Sequence, residues 1–177
     1  MNNIITITDY DLNNKYKKLN NPRIRFSSRG IVLNKNNKIA FHKKKNKNEY
    51  KLIGGGLEEK ENPEEAFKRE VLEETGCKVK IDNFIGIIKE ERSHYNFIQI
   101  SYVYIAHVIK DTKKLDLTKK EIKEKNKLIW LDIKTAMKVI KEAETSLENS
   151  KDEESYFTRF VLRRDYNILE YYKKISM

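Results

Sequence analysis

The 177 residues contain one cysteine, two prolines and six glycines, and no apolar run long enough to cross a bilayer. With Cys77 alone, no intramolecular disulfide can form, and a reducing, cytoplasmic setting is expected. The most apolar stretch, FIQISYVYIAHVI (97–109), is too short and too polar for a membrane span. The first residues, MNNIITITDYDLNNK, lack a basic start followed by an apolar core, so they do not read as a leader peptide. Acid is the scarcer charge. Asp and Glu number 27 against 37 Lys and Arg, for a formal net charge of +10. Such an excess attracts polyanions. Most of it, however, is lysine scattered among asparagine in segments such as HKKKNKNEYK, which reads as solvated surface. Nucleic acid is therefore not the expected partner.

What is present suits one packed domain over residues 1–177. Apolar residues make up only 38 % of the chain, but Phe, Tyr and Ile are frequent enough for a core. Alternation and β-branching predict strands at 23–34, 39–43 and 50–53. A long strand at 78–92, broken near Asp82-Asn83, should pair antiparallel with 97–109 across SHYN. After a charged excursion (110–127) come a strand at 128–132 and a helix at 133–144. A linker at 148–155 leads to an amphipathic helix at 156–172, with Phe157, Phe160, Val161, Ile168, Tyr171 and Tyr172 mostly three and four apart. Mixed strands with three helices predict a layered α/β fold. Trp130 reads as core, and Arg159, Arg163 and Arg164 as a solvated helix face.

The acids that do occur are crowded into GGGLEEKENPEEAFKREVLEETG (54–76). Asn62 and Pro63 suit the N-cap and first position of a helix, Glu64 and Glu65 suit its first turn, and Gly76 suits its end. A helix is expected over 63–75, with Phe67 and Val71 on its apolar stripe. Glu70, Glu73 and Glu74 then share one face at spacings of three and four, at the helix end where the dipole disfavours anions. Each exposed like-charge pair costs about 0.2–0.5 kcal/mol. Local stability opposes this arrangement. Either the face is solvated and paired with lysines, or it holds a divalent cation such as Mg²⁺, which takes carboxylate oxygens. Gly54, Gly55 and Gly56 let backbone approach the same place.

The spacing decides between these readings. Gly55, five residues, Glu61, seven residues, Arg69-Glu70, Val71, Leu72, Glu73-Glu74, Thr75, Gly76 and Cys77 reproduce the fixed positions of the Nudix box. The chain therefore resembles the MutT-like Nudix hydrolases, with the strand order continuing the likeness over about 22–145. A C-terminal helical extension (about 150–174) lies beyond it. The resemblance implies an α/β/α sandwich with a mixed β-sheet. It also implies hydrolysis, dependent on Mg²⁺ or Mn²⁺, of a nucleoside diphosphate linked to another group. By the same resemblance Glu70, Glu73 and Glu74 match metal ligands, the Gly54 carbonyl joins them, and Arg69 with Glu61 orients them. Ile53 and Lys60 depart from the proline and glycine that many members carry there, which bears on the loop and not on the carboxylates.

The general base is a box glutamate in some members and an outside glutamate in others. Glu121 and Glu124 are the outside candidates here, Glu124 the preferred one. Arg25 and Arg29, on one face of the first strand with Arg23, are substrate-contact candidates for a phosphate or base edge. Tyr95 falls near the offset of a substrate tyrosine in some dinucleoside-polyphosphate hydrolases. ADP-ribose-directed members tend to have a proline in that region, and this chain has only Pro22 and Pro63. A second reading keeps the fold without catalysis, as a module that binds a nucleotide or RNA. The intact REVLEE favours the enzyme, because a binding module has no use for a repulsive cluster.

Overall fold

A computed structural model describes residues 3–44, 49–114, 127–150 and 152–176. Among these, eight strands form one mixed sheet: β1 (Asn3–Thr8), β2 (Arg23–Leu33), β3 (Ile39–Lys43), β4 (Tyr50–Leu52), β5 (Gly54–Gly56), β6 (Cys77–Arg92), β7 (Phe97–Asp111) and β8 (Lys127–Leu131). Three helices flank it: α1 (Pro63–Thr75), α2 (Ile133–Ser146) and α3 (Glu153–Ile175). The main path runs β1-β6-β7-β2-β3-β4, with β5 on β2 and β8 on β3. β1–β6 and β2–β7 are parallel and the other pairs antiparallel.

Residues of β2 from Ser27 to Leu33 are all buried, because both faces of the sheet are covered there. On one face Ile31, Leu33, Val103 and Ile105 pack with Ala136 and Ile140 of α2 and Phe160, Ile168 and Leu169 of α3. On the other, Val32, Tyr104 and Ala106 pack with Phe67 and Val71 of α1. Each such fully buried apolar side chain contributes about 1.5–3 kcal/mol. The layering is α/β/α, as the resemblance implies.

Three elements differ from expectation. β1 is not among the predicted strands; its β-branched run, with Ile7 fully buried, pairs parallel to β6. β6 is not broken at Asp82-Asn83; its register shifts between Ile81 and Asn83, and again between Phe84 and Gly86, while pairing continues. A bulge absorbs an extra residue without ending a strand. α3 starts three residues early, because Asp152 accepts the Ser155 amide at 2.9 Å as N-cap and Glu153 and Glu154 favour the helix's positive end. Trp130 is half-buried against the α1-side core.

Candidate active site

α1 carries the acids, and its local chemistry defines its ends. Asn62 accepts the Glu65 amide at 2.9 Å, Glu65 returns the bond to Asn62 at 3.1 Å, and Gly76 closes the helix with φ 68°. Phe67 and Val71 anchor it on the sheet. That anchoring turns Glu70 and Glu74 toward β5, whose Gly54–Gly56 pair with Arg29–Ser27 of β2.

Arg69 organises the acids. Its Nε and Nη2 donate to the two oxygens of Glu61 at 2.8 and 2.9 Å. Nη1 donates to Glu70 and to Glu73, each at 3.0 Å, and Nη2 reaches the Gly56 carbonyl at 3.0 Å. The Arg69 bonds hold the Glu61 carboxyl below its usual range and push the guanidinium up in turn. The crowding read from the sequence as a local cost is thus offset at Glu70 and Glu73 by a five-donor cation.

Glu74 lies deeper, only 2 % exposed. Its Oε2 accepts the Gly54 amide at 2.9 Å, and its Oε1 lies 3.5 Å from Lys51 Nζ and 3.7 Å from His42 Nδ1. The His42 Nε2 donates to the Glu74 carbonyl at 3.0 Å, so that nitrogen carries the proton. Glu70 is pushed up, first by burial and then by the charge of Glu74. Gly55 is needed for this approach: a Cβ there would meet Glu70 Oε1 at 2.2 Å.

These residues fit a hard divalent cation by donor chemistry and by charge. Four carboxylates (Glu61, Glu70, Glu73, Glu74) face two cations, Arg69 and Lys51, leaving two negative charges uncompensated. Among the described residues no three acidic, histidine or cysteine side chains converge as a finished metal centre. Glu70 and Glu73 each give one oxygen to Arg69, and Glu74 gives one to the Gly54 amide.

The outer candidates separate. Arg25 is exposed and lies beside the site, with its Nη2 2.7 Å from where a Gly56 Cβ would stand. Arg29 is 4 % exposed and turns away, donating to Ser101 at 3.1 Å and Ser27 at 3.0 Å. Burial, then Arg164, pushes it down to about 9. Tyr95 sits on the turn joining β6 to β7, against Tyr156 and Phe157. It lines a separate cavity of about 370 Å³ with His94 and Arg159. Glu121 and Glu124 lie outside the described residues. Arg159 and Arg164 are not solvated: they are 4 % and 2 % exposed, and Arg164 pairs with Asp165 at 2.7 Å and Glu90 at 3.4 Å. Sequence reasoning missed Lys51 and His42. They are register partners across β3–β4, and no spacing along the chain marks them.

Comparison with known proteins accords with this geometry. A NUDIX domain model matches residues 24–152. The chain belongs to the NUDIX family. A MutT-like protein of Streptomyces ambofaciens is 35 % identical over 60 residues, covering 34 % of this chain and 39 % of its own. Diphosphoinositol polyphosphate phosphohydrolase 3-alpha of Mus musculus is 33 % identical over 89 residues, 49 % of each chain. The chain thus spans about half the length, or less, of these relatives. Among solved structures, a NUDIX hydrolase of Nitrosomonas europaea superposes with a TM-score of 0.58 at 16 % identity, covering 86 % of this chain and 90 % of its own. The MutT protein of Methanosarcina mazei Go1 gives 0.51 at 18 %, covering 82 % and 96 %. At such identities the likeness concerns the fold, and in this NUDIX chain residues 55–77 are the box itself.

Proposed function

We propose that the chain is a pyrophosphohydrolase that cuts a phosphoanhydride bond in a nucleoside diphosphate linked to a second moiety, using Mg²⁺ or Mn²⁺. The observation that carries this reading is the convergence of Glu61, Glu70 and Glu73 on Arg69, beside buried Glu74 and the glycines of β5. Glu70, Glu73, Glu74 and the Gly54 carbonyl are the proposed ligands. A bound cation supplies charge neutralisation on the diphosphate and an acidified water. Arg69, clamped by Glu61, orients Glu70 and Glu73. The Gly54 amide and Lys51 hold the Glu74 carboxyl turned inward. Arg25, beside Gly56, is the proposed contact for a substrate phosphate. Glu124 is the proposed outer base, taking a proton from the attacking water. The fold unit proposed is one domain, with the core at about 22–145 and α3 completing it. The proposed setting is the cytoplasm, where buried, unpaired Cys77 stays reduced.

A second substrate reading, a diphosphate carried on a phosphorylated ring, draws on the name of the mouse relative. One screen separates the two. Phosphate release is measured from nucleotides, sugar nucleotides, dinucleoside polyphosphates and diphosphoinositol polyphosphates, with Mg²⁺ and with EDTA. Turnover of a nucleoside-diphosphate derivative that EDTA abolishes is the expected result. Folded protein without metal-dependent turnover on any member would overturn the assignment and leave the binding-module reading.

A further inference from the structure

We propose that the cavity between the start of α3 and the turn joining β6 to β7 is a second ligand site, built for a small aromatic anion whose carboxylate or phosphate meets Arg159. The site is independent of the hydrolase reading and shares no residue with the carboxylate cluster. The cavity holds about 370 Å³ and is lined by Asn14, His94, Tyr95, Ser150, Tyr156 and Arg159, with Asp152 and Glu153 completing its wall. Its volume is in the range of about 300–1,000 Å³ usual for ligand pockets.

Arg159 is the telling residue. It is 4 % exposed, and among the described residues it forms no ion pair. Its Nη2 donates to the Leu12 carbonyl, while its buried Nε donates to nothing. One helical turn and a residue further on, Arg164 is equally buried but is matched by Asp165 and Glu90. A buried cation without a counter-ion is costly, and a buried N–H without an acceptor adds to the cost. The nearby acids do not relieve it. Asp9, fully buried, accepts the Ser93 amide and hydroxyl at 2.9 and 2.6 Å and His94 Nδ1–H at 3.0 Å. Asp152 caps α3 through the Ser155 amide and hydroxyl at 2.9 and 2.6 Å. Glu153 is exposed, where water and salt screen it. An anion in the cavity gives Arg159 the counter-charge that the chain does not. Water fills a polar cavity but brings no charge.

The rest of the wall defines the body of the ligand. The Tyr156 ring lies 5.3 Å from that of Tyr95 and 5.3 Å from that of His94, centroid to centroid. Tyr95 is 41 % exposed, so this aromatic wall keeps an open face. A flat ring laid against it gains ring contacts and removes apolar surface from water. The Tyr156 hydroxyl is buried near Asp9 without a well-aligned bond to it, and is a second donor that a ligand oxygen satisfies. An inorganic anion would meet Arg159 and leave the rings wet.

The test titrates the purified full chain calorimetrically, in EDTA, with benzoate, phenyl phosphate and the neutral benzamide. The wild type should bind at least one of the two anions, and whichever binds identifies the head group. Benzamide, of the same shape as benzoate, should bind at least about tenfold more weakly than that anion. Arg159→Gln should lose about tenfold or more in anion affinity, and Tyr156→Phe, which keeps the ring, about threefold. Arg159→Lys, which keeps the charge and the stem, should fall between wild type and Arg159→Gln, and covers the case of an Arg159→Gln that does not fold. Failure of both anions to bind the wild type, or equal binding of benzamide, would overturn the proposal. So would anion binding that survives in Arg159→Lys and Tyr156→Phe at full strength but is lost in Arg25→Ala, because the anion would then sit beside Gly56. Binding is read without metal, so an absence of metal-dependent turnover would remove the hydrolase reading and leave this result standing.

Discussion

Arg69 and Glu61 meet as two planar groups, Nε to Oε1 at 2.8 Å and Nη2 to Oε2 at 2.9 Å, eight residues apart in the chain. This fork fixes the guanidinium so that its remaining nitrogen lies between Glu70 and Glu73. A lysine has no second planar edge with which to do both. Arg69→Lys should therefore lower kcat by about ten- to a thousandfold while the fold survives. Arg69→Ala should also lower stability in EDTA by about 1.5–3 kcal/mol, from loss of charged hydrogen bonds. Steady-state kinetics and urea titration of both variants check this. Wild-type kcat in Arg69→Lys would show that the fork is dispensable.

Adjacent glycines should fail in different ways. At Gly54 φ is 137° and a Cβ would meet the Ser28 carbonyl oxygen at 2.3 Å, which is backbone and cannot move aside. Gly54→Ala should be destabilising by about 1–3 kcal/mol or more. At Gly55 the obstacle is the Glu70 carboxyl, the far end of a flexible side chain. Gly55→Ala should keep the melting temperature nearly intact and lose Mg²⁺ affinity and turnover. Melting curves with and without Mg²⁺ separate the two, and equal loss of stability would show that Glu70 cannot give way.

Glu74→Gln should remove turnover by orders of magnitude, and the stabilisation of the wild type by added Mg²⁺ should shrink in the variant. Glu73→Gln carries a different expectation. From the sequence alone, relief of repulsion would raise stability in EDTA. In the structure the same change weakens a 3.0 Å bond from Arg69, so the two effects oppose each other. The expected net change is within about 0.5 kcal/mol. A rise of several degrees in melting temperature would restore the picture of an uncompensated cluster.

The acid limb of stability should come in part from the network between sheet and α3. Burial alone would push Glu90 up, but Arg92 and then Arg164 outweigh it and hold the carboxyl below its ordinary value. A carboxyl lowered in the folded state stabilises above its unfolded pKa of about 4.3, and that contribution is lost as pH falls through the folded value. Wild-type stability should therefore drop below about pH 4.3 more steeply than that of Glu90→Gln, which is less stable at pH 7. Denaturant midpoints from pH 3 to pH 7 measure it. Parallel curves for the two proteins would place the titrating group elsewhere.

Much of the site is a matter of local chain chemistry. Asn62, Pro63 and Gly76 set the limits of α1 by capping and backbone preference, and the helical period alone brings Glu70, Glu73 and Glu74 to one face. The box spacing is in the same sense a local property, since Arg69 and Glu61 are joined by one loop and two helical turns. Alternation likewise identified β2, β3, β6 and β7 and the antiparallel pairing of the last two.

What covers each face was decided elsewhere. Arg25 and Arg29 alternate onto one face of β2, yet Arg25 stays exposed and Arg29 is buried, bonded to Ser27 and Ser101 and within the field of Arg164 and Asp165 of α3. Asp165 of that helix accepts the Leu52 amide at 2.8 Å, so the C-terminal extension also braces the strand leading into Gly54. Arg159 and Arg164 went from an expected solvated face to the interior for the same reason. Periodicity states which residues share a face; burial depends on partners such as Ser101 for Arg29 and Glu90 for Arg164, 72 and 74 residues away in the chain. Lys51 and His42 reach Glu74 only through strand pairing, and pairing partners are chosen by the packed whole, since no short stretch contains the energy that selects them.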